Sequence, residues 1–204
     1  MAGAPAGSLS WINDVGGMYG FGPVPVHAPS RASEPWSARM LAINQILIAR
    51  GWYNFDHYRH AIERMDPAAY LASSSDVRRL VAVETLVRER LPAGAGTPRP
   101  GTAVAAGAPE PPRFAPGSAV AVKPDAPATH SRTPRYVRGR RGVVQALRGR
   151  SVCPEQRVEE PVHRVAQQIY SVRFEASELW GVQGLSRCPV MLDLWEGALQ
   201  PDSS

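Results

Sequence analysis

The chain is poor in the residue types from which self-sufficient sites are built. Of its 204 residues only two are cysteines, Cys153 and Cys188, set far apart with no paired C-x-x-C spacing. That pattern excludes a disulfide framework and makes a metal cage built by this chain alone a poor reading. The five histidines His27, His57, His60, His130 and His163 are scattered, apart from His57 and His60 three positions apart, and no third ligand accompanies that pair. There is no G-x-S-x-G nucleophile turn and no glycine loop of the phosphate-cradling kind. No apolar run approaches the length needed to span a bilayer, and the start lacks the basic and apolar regions of a secretory leader. These absences predict a cytoplasmic protein without a membrane segment. Lysine is nearly missing: Lys123 stands alone among 23 cationic residues.

What the chain does have is arginine in one place. Seven arginines lie between Arg132 and Arg150 with no acidic residue among them, and the formal charge is +5, so removing these seven would leave −2. A basic cluster this local needs an anionic partner or a solvated face. On the residues alone two readings stand open. One is a nucleic-acid patch, with Tyr136 as a stacking face. The other is a set of guanidinium forks aimed at an anionic group on another protein.

Twenty prolines and 18 glycines against an ordinary 44% apolar content predict folded pieces joined by looser chain. Residues 1–10 are small and polar and read as a disordered tail. An arm follows, in which Gly16, Gly17, Gly20, Gly22, Pro23 and Pro25 forbid regular structure while Trp11, Ile12, Met18, Tyr19 and Phe21 are costly to leave in water. Such a segment wraps a partner or folds back on its own domain.

Helical signals begin at Ser33, a cap, with Pro35 in the first turn, Trp36, Met40, Ile43 and Leu47 on one face, and Gly51 as the stop. A second helix runs from Phe55 to Met65 behind the cap Asn54, with Phe55, Tyr58, Ile62 and Met65 on one stripe and Arg59 at its edge. Glu63 lies one turn after Arg59, so periodicity alone makes that arginine a member of a surface ion pair. Asp66-Pro67 opens a short helix. Ser73-Ser74-Ser75-Asp76 breaks it and caps another from Val77 to about Leu91, with Leu80, Val83 and Val87 inward.

Composition then changes. Between Pro92 and Pro112 sixteen of 21 residues are Pro, Gly or Ala, a linker with almost nothing to bury. Beyond it, strands are predicted at Ser118–Lys123, Gly142–Leu147, Ile169–Phe174 and Val190–Trp195. Turns are predicted at Ala115-Pro116-Gly117, Arg140-Arg141-Gly142 and Leu147-Arg148-Gly149, and a helical turn at Glu175–Gly181. The fold class is therefore α+β: an extended arm and helical domain over 11–91, a Pro/Gly/Ala-rich linker over 92–112, and a small β-barrel of Src-homology-3-like type over 113–204.

Several blocks carry a more specific signal. Asn13-Asp-Val-Gly-Gly-Met-Tyr-Gly-Phe-Gly-Pro23, Glu34-Pro-Trp36, Tyr58-Arg-His-Ala-Ile-Glu-Arg-Met65 and Pro67-Ala-Ala-Tyr-Leu71 closely resemble stretches of the β subunit of nitrile hydratase, in family order. The likeness resumes at Pro112-Arg-Phe114 and is strongest at Pro134-Arg-Tyr-Val-Arg-Gly139 and Tyr170-Ser-Val-Arg-Phe174, ending at Asp193-Leu-Trp-Glu196.

The resemblance implies a subunit that binds no metal itself, paired with an α subunit in an α2β2 heterotetramer that hydrates small nitriles to amides. Iron or cobalt is implied on a cysteine cluster of the α subunit, where two cysteines are oxidised. By motif position Arg59 and Arg132 are the catalytic arginines that hydrogen-bond those oxidised sulfurs. Phe55, Tyr58 and Ser75 are implied in the nitrile pocket, and Trp11, Tyr19, Phe21, Tyr136 and Arg138 at the partner interface. Nucleic acid and membrane are not implied partners. The chain departs from the family pattern after Leu71, where Ala72-Ser-Ser-Ser75-Asp-Val-Arg-Arg79 stands in place of a run of aromatics, predicting a more open or more polar pocket. The loop before Arg132 is also short. Two other readings remain on the residues: a basic barrel that binds RNA, and a drifted family member acting in assembly.

Overall fold

The computed structural model describes residues 12–20, 22–23, 26, 34–91, 110–125, 131–158, 165–181 and 188–202. The predicted tail, Trp11, Phe21, the Ser33 cap and most of the predicted linker lie outside the described residues. The described chain falls into two compact units, one within Trp11–Ala103 and one within Val104–Ser204. Among the described residues no helix is long and apolar enough to cross a membrane.

The first unit holds four helices: α1 Pro35–Ala49, α2 Phe55–Glu63, α3 Pro67–Ala72 and α4 Ser75–Arg90. Proline opens α1 behind Glu34, which provides no side-chain cap. Gly51, at φ 72°, ends it, and the Trp52 N–H reaches back to the Leu47 carbonyl at 3.0 Å. Asn54 caps α2, its side-chain oxygen accepting from the Asp56 and His57 N–H groups at 2.9 Å each. Asp66 caps α3 through the Ala69 N–H at 2.9 Å, and Ser74 caps α4 through Val77.

The buried face of α1 is not the expected one. Ser37, Met40 and Asn44 are buried, whereas Trp36 and Ile43 of the expected stripe are exposed, Ile43 at 53%. The helix is apolar nearly all round, so spacing could not select a face. The selection comes from Tyr53, itself buried, whose hydroxyl donates to the Asn44 Oδ1 at 2.8 Å. A buried phenol needs an acceptor, and Asn44 supplies it only if that side of α1 faces inward. On α4, Leu80 is likewise exposed, whereas the expected Val83 is buried with Val87 packed against the core, and Ala82 and Leu86 are buried beside them. Small Ala61 and Ala82 sit in the same core cluster as Met40, Tyr53, Tyr58, Val83 and Leu86.

The second unit is one antiparallel sheet of β1 Ala119–Val122, β2 Arg141–Val152, β3 Ala166–Phe174, β4 Val190–Trp195 and β5 Leu199–Pro201, ordered β4-β3-β2-β1-β5. Short helices α5 Pro154–Val158 and α6 Ala176–Trp180 lie between strands, and a 3-10 turn, Arg135–Val137, precedes β2. Val120, Val122, Val144, Tyr170, Val172, Phe174, Leu194 and Leu199 form the buried core. Tyr170 ties it to the loops: its hydroxyl donates to Glu196 and accepts from the Phe114 N–H at 3.4 Å. Burial first, then that bond to Glu196, pushes the Tyr170 phenol above its usual range.

Two predicted turns are in fact strand. Arg141-Gly142 opens β2, and Leu147-Arg148-Gly149 is an irregularity inside it, where the β2–β3 register shifts and Gly149 takes φ 112°. Gly142 is there for close approach, since a Cβ on it would meet Val172 Cγ1 at 2.7 Å and the Arg173 carbonyl at 2.9 Å. Helix α5 and strand β5 were not anticipated, being five and three residues long.

Gly142→Ala tests this packing. The substitution should destabilise the chain by about 1–3 kcal/mol in urea melts, the usual cost of forcing a methyl group against a close-packed strand. A variant of unchanged stability would show that β3 yields there.

Candidate functional site

The residues singled out in the first unit gather at the start of α2 and the start of α4. Arg59 lays its guanidinium over the Phe55 ring, 4.4 Å from the centroid, and approaches the Asp56 carboxylate at 4.0 Å. Asp56 is buried, while the Arg59 side chain is 41% exposed. The expected surface pairing partner, Glu63, is itself buried and accepts from the Asn13 side chain at 3.1 Å. Asn13 thereby joins the arm to the end of α2.

A stacked guanidinium presents its N–H edge while its face is held, which favours a bidentate contact with an anion. Asp56 helps to hold Arg59, and its place one turn earlier on the helix was legible as an i,i+3 relation. Phe55 and Tyr58 stand 6.1 Å apart. Tyr58 is buried, and its hydroxyl has no hydrogen-bond partner among the described residues. Burial raises its pKa, with Arg79 pulling it down and Asp76 pushing it up, so the start of α4 lies beside this ring. Ser75, the first residue of α4, is exposed next to Asp76, and Arg79 bonds Asp76 at 3.2 Å. Neither member of that pair was singled out by sequence reasoning. Tyr19 of the arm is 96% exposed.

In the second unit Arg132, Tyr136 and Arg138 belong to one segment leading into β2. Arg138 turns its guanidinium onto the Thr133 carbonyl, donating from Nε at 3.2 Å and from Nη2 at 2.8 Å. Its role within the chain is thus to fold the loop. Tyr136 stacks on Trp180 of α6 with ring centroids 5.4 Å apart, and Val137 beside it is buried in the core. The Arg132 N–H donates to Glu155 of α5 at 3.0 Å. Arg59 and Arg132 therefore belong to different units.

The arginine-rich stretch is supplied with acceptors from elsewhere in the chain. Arg141 pairs with Asp202 at 3.3 Å, and its N–H reaches Glu178. Arg148 meets Asp193 at 3.5 Å. Arg150 donates to the Glu110 and Ala166 carbonyls at 2.8 and 2.7 Å. Of these, Arg141 and Arg148 meet carboxylates, which lowers the local positive charge offered to nucleic acid. Among the described residues no group of three or more His, Cys, Asp or Glu could hold a metal ion. His27, His130 and His163 lie outside the described residues.

Comparison with known proteins matches the chain in two successive blocks. The family model described as nitrile hydratase beta subunit, N-terminal, matches residues 9–95, and the one described as nitrile hydratase beta subunit, C-terminal, matches residues 103–201. The chain is 29% identical to the cobalt-containing nitrile hydratase subunit beta of Pseudonocardia thermophila, over 92% of this chain and 94% of that protein. It is 28% identical to the nitrile hydratase subunit beta of Pseudomonas putida, over 95% and 100%. Among solved structures a recombinant apo-enzyme of thiocyanate hydrolase from Thiobacillus thioparus aligns with 56% of this chain and 93% of that one, at 22% identity and a TM-score of 0.40.

The buried phenols of the helical core, Tyr53 and Tyr58, give a pH test. Burial and the neighbouring Tyr58 push the Tyr53 phenol up to about 12. A raised phenol pKa means the folded state favours the neutral form. The resulting stability is fully present below pH ~10, the unfolded phenol value, and fades as pH climbs through about 12. Absorbance at 295 nm with helical ellipticity should show late phenol ionisation coinciding with loss of helix in that window. Ionisation of all six tyrosines in one step near pH ~10 would contradict the buried placement.

Proposed function

The chain belongs to the nitrile hydratase β-subunit family, and on that premise we propose that it is the β subunit of a working nitrile hydratase, a hydro-lyase that adds water to a nitrile to give an amide. The observation that carries the reading is the held guanidinium of Arg59, stacked on Phe55 and braced by a buried Asp56, in the N-terminal matched block. We assign Arg59 and Arg132 to hydrogen-bonding the oxidised cysteines of a partner α subunit. A sulfinate offers two oxygens much as a carboxylate does, and a planar guanidinium grips both. Fixed positive charge from this chain also favours the deprotonated form of a neighbouring sulfenic acid. The metal, iron or cobalt on the α subunit, supplies Lewis acidity toward the nitrile or its water. Cobalt is named for relatives from Pseudonocardia thermophila and Rhodococcus rhodochrous.

The remaining parts of the reading follow from the same premise. Phe55, Tyr58 and Ser75 line the nitrile pocket, where a serine in place of aromatics opens room for polar nitriles. Tyr19, Trp11, Phe21, Tyr136 and Arg138 meet the α subunit, and two αβ pairs join as an α2β2 heterotetramer in the cytoplasm. Residues 11–91 and 113–204 act as two domains about the linker 92–112. The strand order β4-β3-β2-β1-β5, with β1 carrying both β2 and the last strand, supports a Src-homology-3-like barrel for the second. The RNA-binding reading is the weaker one, because Arg141 and Arg148 of the basic stretch are paired with carboxylates of this chain.

Co-expression with a cysteine-cluster α subunit provides the test. Arg59→Lys and Arg132→Lys should each lower turnover by about 100-fold or more, the effect of removing one preorganised donor, while assembly and circular dichroism are kept. Near-normal turnover in both variants would remove their assigned role. Failure to co-purify with any such subunit, together with salt-sensitive RNA capture, would return the barrel to nucleic acid.

A further inference from the structure

Helix α5 contributes one side chain whose two oxygens are both engaged. Glu155 Oε1 accepts the backbone N–H of Arg132 at 3.0 Å, across 23 positions of sequence, and Glu155 Oε2 accepts from the Cys153 thiol. From the other side, Arg138 grips the carbonyl of Thr133, the residue after Arg132, with two N–H groups. The Thr133 N–H is in turn held by the Ser131 hydroxyl at 3.3 Å. Two successive backbone units are therefore clamped by side chains from α5 and from Arg138 just after the 3-10 turn.

We propose that Glu155 is a positioning residue for Arg132, and that the Cys153 thiol orients Glu155 for that task. The inference rests on the role assigned to Arg132 above. The bond from Glu155 is made to the backbone N–H, so it fixes where the arginine stands along the loop. A carboxylate accepting from a neutral N–H makes a stronger bond than a neutral acceptor would. An unclamped loop would need ordering whenever the partner group is met, and a misplacement of about 1 Å at a reacting centre costs on the order of 100-fold in rate. The clamp thus does before assembly what binding would otherwise have to do.

The experiment uses the complex with the α subunit and compares Glu155→Ala, Glu155→Gln, Arg132→Lys and the Glu155→Ala/Arg132→Lys double variant. Amide hydrogen exchange over residues 131–140 reads the clamp directly, apart from turnover. Expected for Glu155→Ala are faster exchange in that segment and a fall in kcat of about 10- to 100-fold, with KM little changed. Glu155→Gln, which keeps an acceptor oxygen, should retain most of the activity and the protection. The double variant should be no slower than Arg132→Lys alone, because both changes remove one function.

Normal exchange and normal turnover in Glu155→Ala, or losses that multiply in the double variant, would overturn the positioning role while leaving Arg132 its chemistry. Normal turnover in Arg132→Lys would instead overturn the reading of Arg132, and the catalytic purpose of the clamp with it. Should Glu155→Ala fail to assemble, Glu155→Asp carries the same test. One methylene short, it should lose protection and rate together, and keeping both would overturn the proposal.

Discussion

Guanidinium groups crowded into one segment repel one another unless each finds an acceptor, and the C-terminal unit is arranged around that requirement. The segment has no acid and supplies one acceptor itself, the Thr133 carbonyl that Arg138 grips. The others come from Asp193 on β4, Asp202 beyond β5 and the carbonyls of Glu110 and Ala166, while Glu178 on α6 takes the backbone N–H of Arg141. Because these partners lie on different elements, the segment is held only when the sheet has formed. Exposed pairs of this kind add little stability each. Their collective effect is conformational, since an arginine-rich loop that would otherwise sample many shapes is given one.

The helical unit solves a similar problem more locally. Arg59 is braced by two residues of its own helix, Phe55 and Asp56, and that helix is capped by Asn54. Asp56 can be buried because a cation and helix N–H groups stand close to it. The arm is joined to the far end of the same helix through Asn13 and the buried carboxylate of Glu63. Position of the arm and position of the arginine are thus linked through one short, well-capped helix. Each unit prepares one arginine, by stacking in the first and by a backbone clamp in the second.

Much of the local structure was written in short-range signals. Proline at the start of α1, Gly51 at its end, the caps Asn54, Asp66 and Ser74, and the alternation in Ile169–Phe174 all act within a few residues, and each was readable. The misreadings share one physical origin. Arg141-Gly142 and Leu147–Gly149 carry turn composition, yet both lie in β2, because Gly142 is demanded by the approach of Val172 and Arg173 from the neighbouring strand. Ile43 and Leu80 were placed inward by period, but the inward face of α1 is decided by Tyr53 seeking Asn44. The candidate arginines were legible from motif position alone, whereas Asp56, Glu155 and the Thr133 carbonyl, which hold them, were not named.

The sequence by itself therefore determined the type of most elements, the α-then-β order, the isolation of the basic stretch and the family likeness, because caps, glycines and motif blocks are local or ordered along the chain. Only the tertiary structure decided which faces are buried, which glycines serve close approach, and where the arginines of the basic stretch find their partners. Those outcomes depend on atoms tens of positions apart meeting at hydrogen-bond distance, as Arg132 meets Glu155 and Arg141 meets Asp202. No spacing rule along a chain encodes such meetings; strand pairing and burial create them.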